Sequence, residues 1–311
     1  MNVSSWVWIG FTAAVLALLG VDLLLGRGKD APSFRASLVW SAVWIGLGAA
    51  FAGVLWLWQG GGVAGEYAAG YLIEKSLSVD NVFVFAVIFS ALAVPDNLRK
   101  RVLFWGVLGA LVFRGLFIAA GAAMLDAAHA VLYVFAAVLL VTAVKLARHS
   151  SIKVDPNRNI VLRGLRRLLP VTEGYEGGRF LVRRAGVLHA TPLLAALIAI
   201  ETTDIVFALD SIPAIFAITD DPFIVFTSNA FAILGLRSLT FLLSGSMARF
   251  HFLGLGLAGV LGFAGLKLAL SDLWHPPVLL SLGVIVAILT AAVLASLVRE
   301  RRLAALPGGV A

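Results

Sequence analysis

Six ionisable residues stand inside stretches that are otherwise strongly apolar. Glu74, Lys75 and Asp80 fall in one such stretch, and Glu201, Asp204 and Asp210 in another. A charge at the centre of a bilayer costs several kcal/mol, so it is expected to be paired or functional. Neutral oxygens accompany both groups: Ser76, Ser78 and Asn81 in the first, Thr202, Thr203 and Ser211 in the second. Five carboxylates on two helices can converge on one point. Like charges that close cannot all ionise unpaired, so protons or a cation must neutralise them. Hard oxygen donors without cysteine suit Mn2+, Mg2+ or Ca2+ and argue against Cu(I) or thiolate-bound zinc. The competing outcome is structural. Arg114, Arg237 and Lys75 can serve as counter-ions for three of the five acids and fix helix packing.

Spacing sets a limit on chelation. Residues six apart on an unbroken helix lie roughly 120° from a common face and about 9 Å apart along the axis. Glu74 and Asp80 therefore do not chelate one ion from a straight helix. Pro213, three residues after Asp210, predicts a break near Asp210 that would bring backbone carbonyls to the site.

The elements that must position these residues follow from composition. The chain has 311 residues, 61% of them hydrophobic and 13% charged, and its mean hydropathy is +1.00. An ordinary globular domain is about 25% charged. Such a chain cannot cover a soluble surface, which excludes a cytosolic enzyme, a nucleic-acid-binding domain and a disordered chain, despite the net charge of +7. With no cysteine there are no disulfides and no thiol redox chemistry. A spanning helix needs about 20 mostly apolar residues. Nine stretches qualify: 5–25, 38–58, 66–92, 103–123, 128–147, 190–218, 222–244, 251–271 and 278–298. The expected fold is an all-α polytopic membrane bundle of about nine helices, a single integral membrane domain over 1–311.

The basic residues orient the bundle. Nineteen of the 24 lysines and arginines fall in alternate connections, those after the first, third, fifth, seventh and ninth spans, and the other five lie inside spans, Lys145 among them at the end of the fifth. This segregation predicts an N-terminus outside and a C-terminus in the cytoplasm of a cell (inner or plasma) membrane. Trp6, Trp8, Trp56, Trp58 and Trp274 fall near the predicted outer ends, as an aromatic belt does. The cytoplasmic loop, about 148–189, contains an amphipathic basic piece over 160–169.

The sequence also repeats internally. AHAVLYVFAAVLLVTAVKLA (128–147) aligns without gaps to FHFLGLGLAGVLGFAGLKLA (250–269), matching His129 to His251 and Lys145 to Lys267. One span earlier Arg114 matches Arg237; one earlier again Asp80 matches Asp210 and Glu74 matches Asp204. Spans 3–5 (about 66–147) are thus expected to repeat as spans 6–8 (about 190–271). Three is odd, so the second copy enters from the opposite side. Inverted repeats with a midplane site at their interface are typical of secondary transporters. No H-E-x-x-H and no G-x-S-x-G is present, so an enzyme is not expected.

Two motifs carry a resemblance. Glu74-Lys75-Ser76-Leu77-Ser78-Val79-Asp80-Asn81 is one. The other is Thr191-Pro192 followed by Glu201-Thr202-Thr203-Asp204-Ile205-Val206-Phe207-Ala208-Leu209-Asp210-Ser211-Ile212-Pro213-Ala214, and the stretch TSNAFAILGLRSL (227–239) adds to it. Over roughly 5–300 the chain resembles the TerC family of integral membrane proteins, whose Alx-like branch comprises manganese exporters and whose name comes from tellurite resistance. The resemblance implies Mn2+ export. It implies Glu74, Asp80, Glu201, Asp204 and Asp210 as metal-binding acids, with Asn81, Ser211, Arg114, Arg237 and Lys75 in supporting or counter-ion roles. No resident cofactor is expected, only transported Mn2+ or another hard divalent cation. The expected partners are that cation and the lipid bilayer, with a second copy of the chain left open and nucleic acid excluded. Five acids offer an anion no site, which disfavours direct tellurite transport. The alternative role is a structural or accessory membrane protein, of tellurium-resistance or membrane-insertion type, whose acids serve helix packing.

Overall fold

The computed structural model describes residues 3–25, 33–128, 130–148, 164, 169–184, 186–243, 252–273 and 276–304. Five helices come first: α1 (Ser5–Leu25), α2 (Phe34–Gln59), α3 (Gly61–Ala91), α4 (Asp96–Ala127) and α5 (Val131–Arg148). A short antiparallel hairpin follows, β1 (Leu181–Arg184) with β2 (Val187–Ala190), in which Leu181 faces Ala190 and Arg184 faces Val187. Then come α6 (Pro192–Phe216), α7 (Pro222–Ile233), α8 (Leu236–Leu243), α9 (Leu253–Ala269) and α10 (Val278–Ala304). Seven stretches are long and apolar enough to cross a membrane: α1, α2, α4, α5, α6, α7 taken with α8, and α10. α3 has the length, at 31 residues, but carries Glu66, Glu74, Lys75 and Asp80. α9 is apolar but only 17 residues long. Each of the nine expected spans is therefore helical, and the fold is a polytopic all-α bundle.

Local chemistry sets the helix ends. The Ser33 hydroxyl accepts from the Ala36 N–H at 3.3 Å at the start of α2. Asp221 Oδ1 accepts from the Phe223 N–H at 2.8 Å at the start of α7. These side chains satisfy donors that the first helical turn leaves without a partner. Proline opens both α6 and α7, where its missing N–H costs nothing.

One expectation about a helix break is corrected. α6 is unbroken at Asp210 and runs through Pro213 to Phe216. Pro213 stands one turn before the helix end, so it removes a single ladder bond and the chain leaves the helix soon afterwards. The break falls instead in the seventh span, between α7 and α8, at Leu234-Gly235. Gly235 has φ +80°, and a Cβ there would lie 2.6 Å from Cβ of Trp44. Only glycine meets both demands without strain.

Two apolar clusters fill the bundle. One joins α1, α2, α4, α6 and α7 with one side of α3, through residues such as Phe11, Trp44, Tyr67, Ile118 and Phe223. The other joins α5, α9 and α10 with the opposite side of α3 and the end of α6, through Ile73, Leu139, Ile218, Leu261 and Ile285. α3 and α6 thus belong to both. α7 is enclosed, with every residue from Phe223 to Ile233 buried. α5 and α9, which align in sequence, form the most extensive helix pairing among the described helices, and Gly265 lets α9 approach the Ala136 carbonyl and Leu139. Trp6, Trp56, Leu57 and Leu279 point outward, as lipid-facing residues do, because lipid competes with them no more than another apolar helix would.

The connection after α5 docks on the connection after α3. Tyr175 donates to the Leu92 carbonyl at 2.7 Å, and the Arg101 guanidinium lies 5.4 Å from the Phe180 ring centre. These basic connections therefore share one end of the bundle. Burial of the Tyr175 phenol pushes its pKa up. At the other end Thr219, just past α6, donates to Glu66 near the start of α3 at 2.6 Å, so α3 and α6 run antiparallel. Most of the basic piece at 160–169, together with His129, His251 and Trp274, lies outside the described residues.

Candidate functional site

Arg114, near the middle of α4, organises the polar interior. Its Nε and Nη2 donate to Asp204 Oδ2 and Oδ1 at 3.0 and 2.8 Å. Its Nη1 donates to Glu74 Oε1 and, at 3.1 Å, to Asn229 Oδ1. Asn229 closes the ring by donating to Glu74 Oε2 at 3.2 Å. Asn81 donates to Asp204 Oδ1 at 3.4 Å. Glu74, Asn81, Arg114, Asp204 and Asn229 are all 2% exposed or less. Four helices supply them. Glu74 and Asn81 are seven apart on α3, two turns, and share a face; Ser78 lies between them and donates to the Glu74 carbonyl at 2.8 Å. The planar guanidinium matches a carboxylate in a forked pair, as it does here with Asp204.

The five acids expected at one point are distributed. Glu74 and Asp204 come together, on Arg114. Glu201 stands one helical turn before Asp204, and its carboxylate lies where Gly109 of α4 leaves room; any side chain at 109 would collide with it. Glu201 Oε2 is buried without a hydrogen-bond partner, and so is Asn81 Oδ1. Asp210 is half-buried and points elsewhere, accepting from Thr142 of α5 at 2.8 Å. Asp80 is helical, but its side chain lies outside the described residues. Among the described residues no three acidic or histidine side chains gather into a cation cage. Ser211 is buried with its hydroxyl unpartnered.

The counter-ions are likewise corrected. Lys75 does not reach an acid; its ammonium donates to the Ala232 carbonyl at 3.1 Å and the Leu234 carbonyl at 3.5 Å. The break at Gly235 frees these carbonyls, and a cation at a helix C-terminus is favoured by the dipole as well. Arg237 pairs with Asp22 of α1 at 2.7 Å, away from its sequence counterpart's cluster. A single guanidinium therefore serves two acids.

Three contributors were missed in the sequence. Asn229 is an amide within an apolar span, and that alone could have marked it. Gly109 carries no signal until Glu201 is placed beside it. Thr142 reads as an ordinary helical threonine. Its bond ties α5 to α6, and Thr142→Val is expected to lower stability by about 0.6 kcal/mol, the average for hydrogen bonds between membrane helices. Thermal unfolding in detergent checks this, and a loss above about 2 kcal/mol would give the bond an anchoring role beyond that average.

Membrane-spanning helices that enclose a charged, hydrogen-bonded cluster at mid-helix define a polytopic integral membrane protein. Comparison with known proteins places it further. Residues 59–304 match the family model described as the integral membrane protein TerC family. A membrane protein of Myxococcus xanthus with no assigned role is 48% identical over 300 residues, covering 96% of this chain and 94% of its own. The Alx protein of Escherichia coli (strain K12), provisionally named a membrane-bound redox modulator, is 45% identical over 293 residues, 91% of each chain. The chloroplastic thylakoid membrane protein TERC of Arabidopsis thaliana is 43% identical over 269 residues, 86% of this chain and 70% of its own. No solved structure matches. The chain belongs to the TerC family.

Proposed function

We propose that this protein exports a hard divalent cation, Mn2+, across the cell membrane by way of the carboxylates of α3 and α6, with protons as the coupling ion. In this reading the N-terminus lies outside and the C-terminus in the cytoplasm, in keeping with the segregation of basic residues. One observation carries the reading. A cluster built only to lock helices satisfies its buried polar atoms. Here every Arg114 nitrogen has an acceptor, yet Asn81 Oδ1, on the amide that donates to Asp204, and Glu201 Oε2, one helical turn before Asp204, have no donor. Unpartnered hard oxygens beside a carboxylate suit a proton or a dication. Mn2+ is chosen over Mg2+ and Ca2+ through the family resemblance.

A second reading has its own observation in favour. Arg114 already binds Glu74 and Asp204 in a near-complete network, as an accessory membrane protein with packing acids would have it. Redox modulation, the role named for the E. coli relative, would have to proceed here without thiols. Manganese flux in proteoliposomes under an imposed pH gradient separates the two. Glu201→Gln leaves all the Arg114 pairs intact. Export predicts that flux in this variant and in Asp80→Asn falls at least tenfold, about 1.4 kcal/mol or more in transition-state stabilisation, at unchanged abundance. The packing reading predicts inert wild-type protein and no effect of either change.

A further inference from the structure

A dication and the Arg114 guanidinium compete for the same oxygens. Nε and both terminal nitrogens are committed to Asp204, Glu74 and Asn229, and the side chain is 1% exposed. Arginine does not lose its proton in proteins, so its charge persists through any cycle. No other described cation touches these acids, because Lys75 is held by the carbonyls at the end of α7 and Arg237 by Asp22. Two bare carboxylates in an apolar interior are strongly disfavoured. The oxygens that Arg114 leaves unused are Asn81 Oδ1, on the amide that donates to Asp204, and Glu201 Oε2, on the residue one helical turn before Asp204.

Resting on the transport reading, we propose that Arg114 is a tethered counter-ion: it occupies Glu74 and Asp204 when no dication is bound, yields them when one enters, and reclaims them when it leaves. Asn81 and Glu201 supply the first free oxygens, and Asp204 follows as the guanidinium withdraws on its long stem. The manganese-free protein then rearranges with Glu74 and Asp204 held by Arg114, which leaves the coupling proton to Glu201, an acid that Arg114 does not hold. Arg114 in this role governs the return of the empty carrier and leaves the passage of the loaded one untouched.

Two assays on the full-length chain in proteoliposomes read this difference. Net efflux of radiolabelled Mn2+ into manganese-free medium requires the empty carrier to return. Exchange of labelled against unlabelled Mn2+, present on both sides, does not. Arg114→Gln is expected to lower net efflux about tenfold while exchange stays within about twofold of wild type, the signature of a lost empty-state interaction. Arg114→Lys keeps the charge but cannot fork onto Asp204, and it is expected to show the same split in milder form; it carries the test if Arg114→Gln does not fold. Exchange falling in parallel with net efflux in a folded variant would overturn the proposal and make Arg114 a packing residue. Wild-type protein that neither exports nor exchanges Mn2+ would overturn the transport reading on which the proposal stands.

Discussion

Asp204→Ala is expected to cost about 3–5 kcal/mol of stability, the usual loss when one partner of a buried ion pair is removed. Asp204 accepts from two Arg114 nitrogens and from Asn81. Alanine strands all three donors in a region 2% exposed or less. Glu74 still holds Nη1, but the forked half of the guanidinium has nothing to bind. Asp204→Asn keeps one oxygen and the volume, and it is expected to lose clearly less stability than alanine; on the transport reading it also lowers manganese flux at least tenfold, since the amide keeps an oxygen but loses the negative charge that sets affinity for a dication. Thermal unfolding in detergent and proteoliposome flux, measured on the same preparations, check both statements. An alanine variant within about 1 kcal/mol of wild type would mean that the cluster contributes little to the fold.

Gly235→Ala is expected to be comparably severe for a different reason. A left-handed φ costs an L-residue roughly 1–2 kcal/mol. The new methyl would also lie 2.6 Å from Trp44 Cβ, and overpacking of this kind adds about 1–3 kcal/mol. The expected loss is about 2–5 kcal/mol in all, seen as a lower unfolding temperature in detergent. A Gly235→Ala protein that unfolds at the wild-type temperature would show that the break can be remodelled without loss. The break also presents the carbonyls that Lys75 holds, so the variant should disturb α3 at the residue next to Glu74.

The spans were legible because bilayer thickness writes itself into sequence as runs of apolar residues. The charged residues that matter were legible for the same reason, since apolar surroundings make them conspicuous. Their pairing was not. Glu74, Arg114, Asp204 and Asn229 come from four helices, and which acid meets which base depends on helix rotation and crossing, which hydropathy does not encode. Matching positions in the proposed repeat suggested similar duties for Arg114 and Arg237, yet their partners differ because α1, which supplies Asp22, lies outside the repeat. Pro213 misled because proline matters to a helix by its distance from the end. Gly235 gave the opposite error: its neighbour Trp44 is nearly two hundred residues away in sequence, so the need for glycine was invisible locally.

The spacing of the Arg114 partners along the chain has a consequence for biogenesis. Placing an arginine mid-helix costs about 3 kcal/mol at insertion, and α4 is inserted as the ribosome delivers it. Glu74 lies 40 residues upstream and is already made. Asp204 is 90 residues downstream and Asn229 is 115. At ordinary translation rates the nascent protein waits roughly 5–20 s for Asp204 to arrive. Throughout that interval Glu74 is the sole acid of the finished cluster already available to Arg114, so an α3–α4 hairpin is the smallest unit in which Arg114 has an acidic partner of the finished cluster. A chain lacking Glu74 is therefore expected to show its defect at insertion, before α6 has been synthesised.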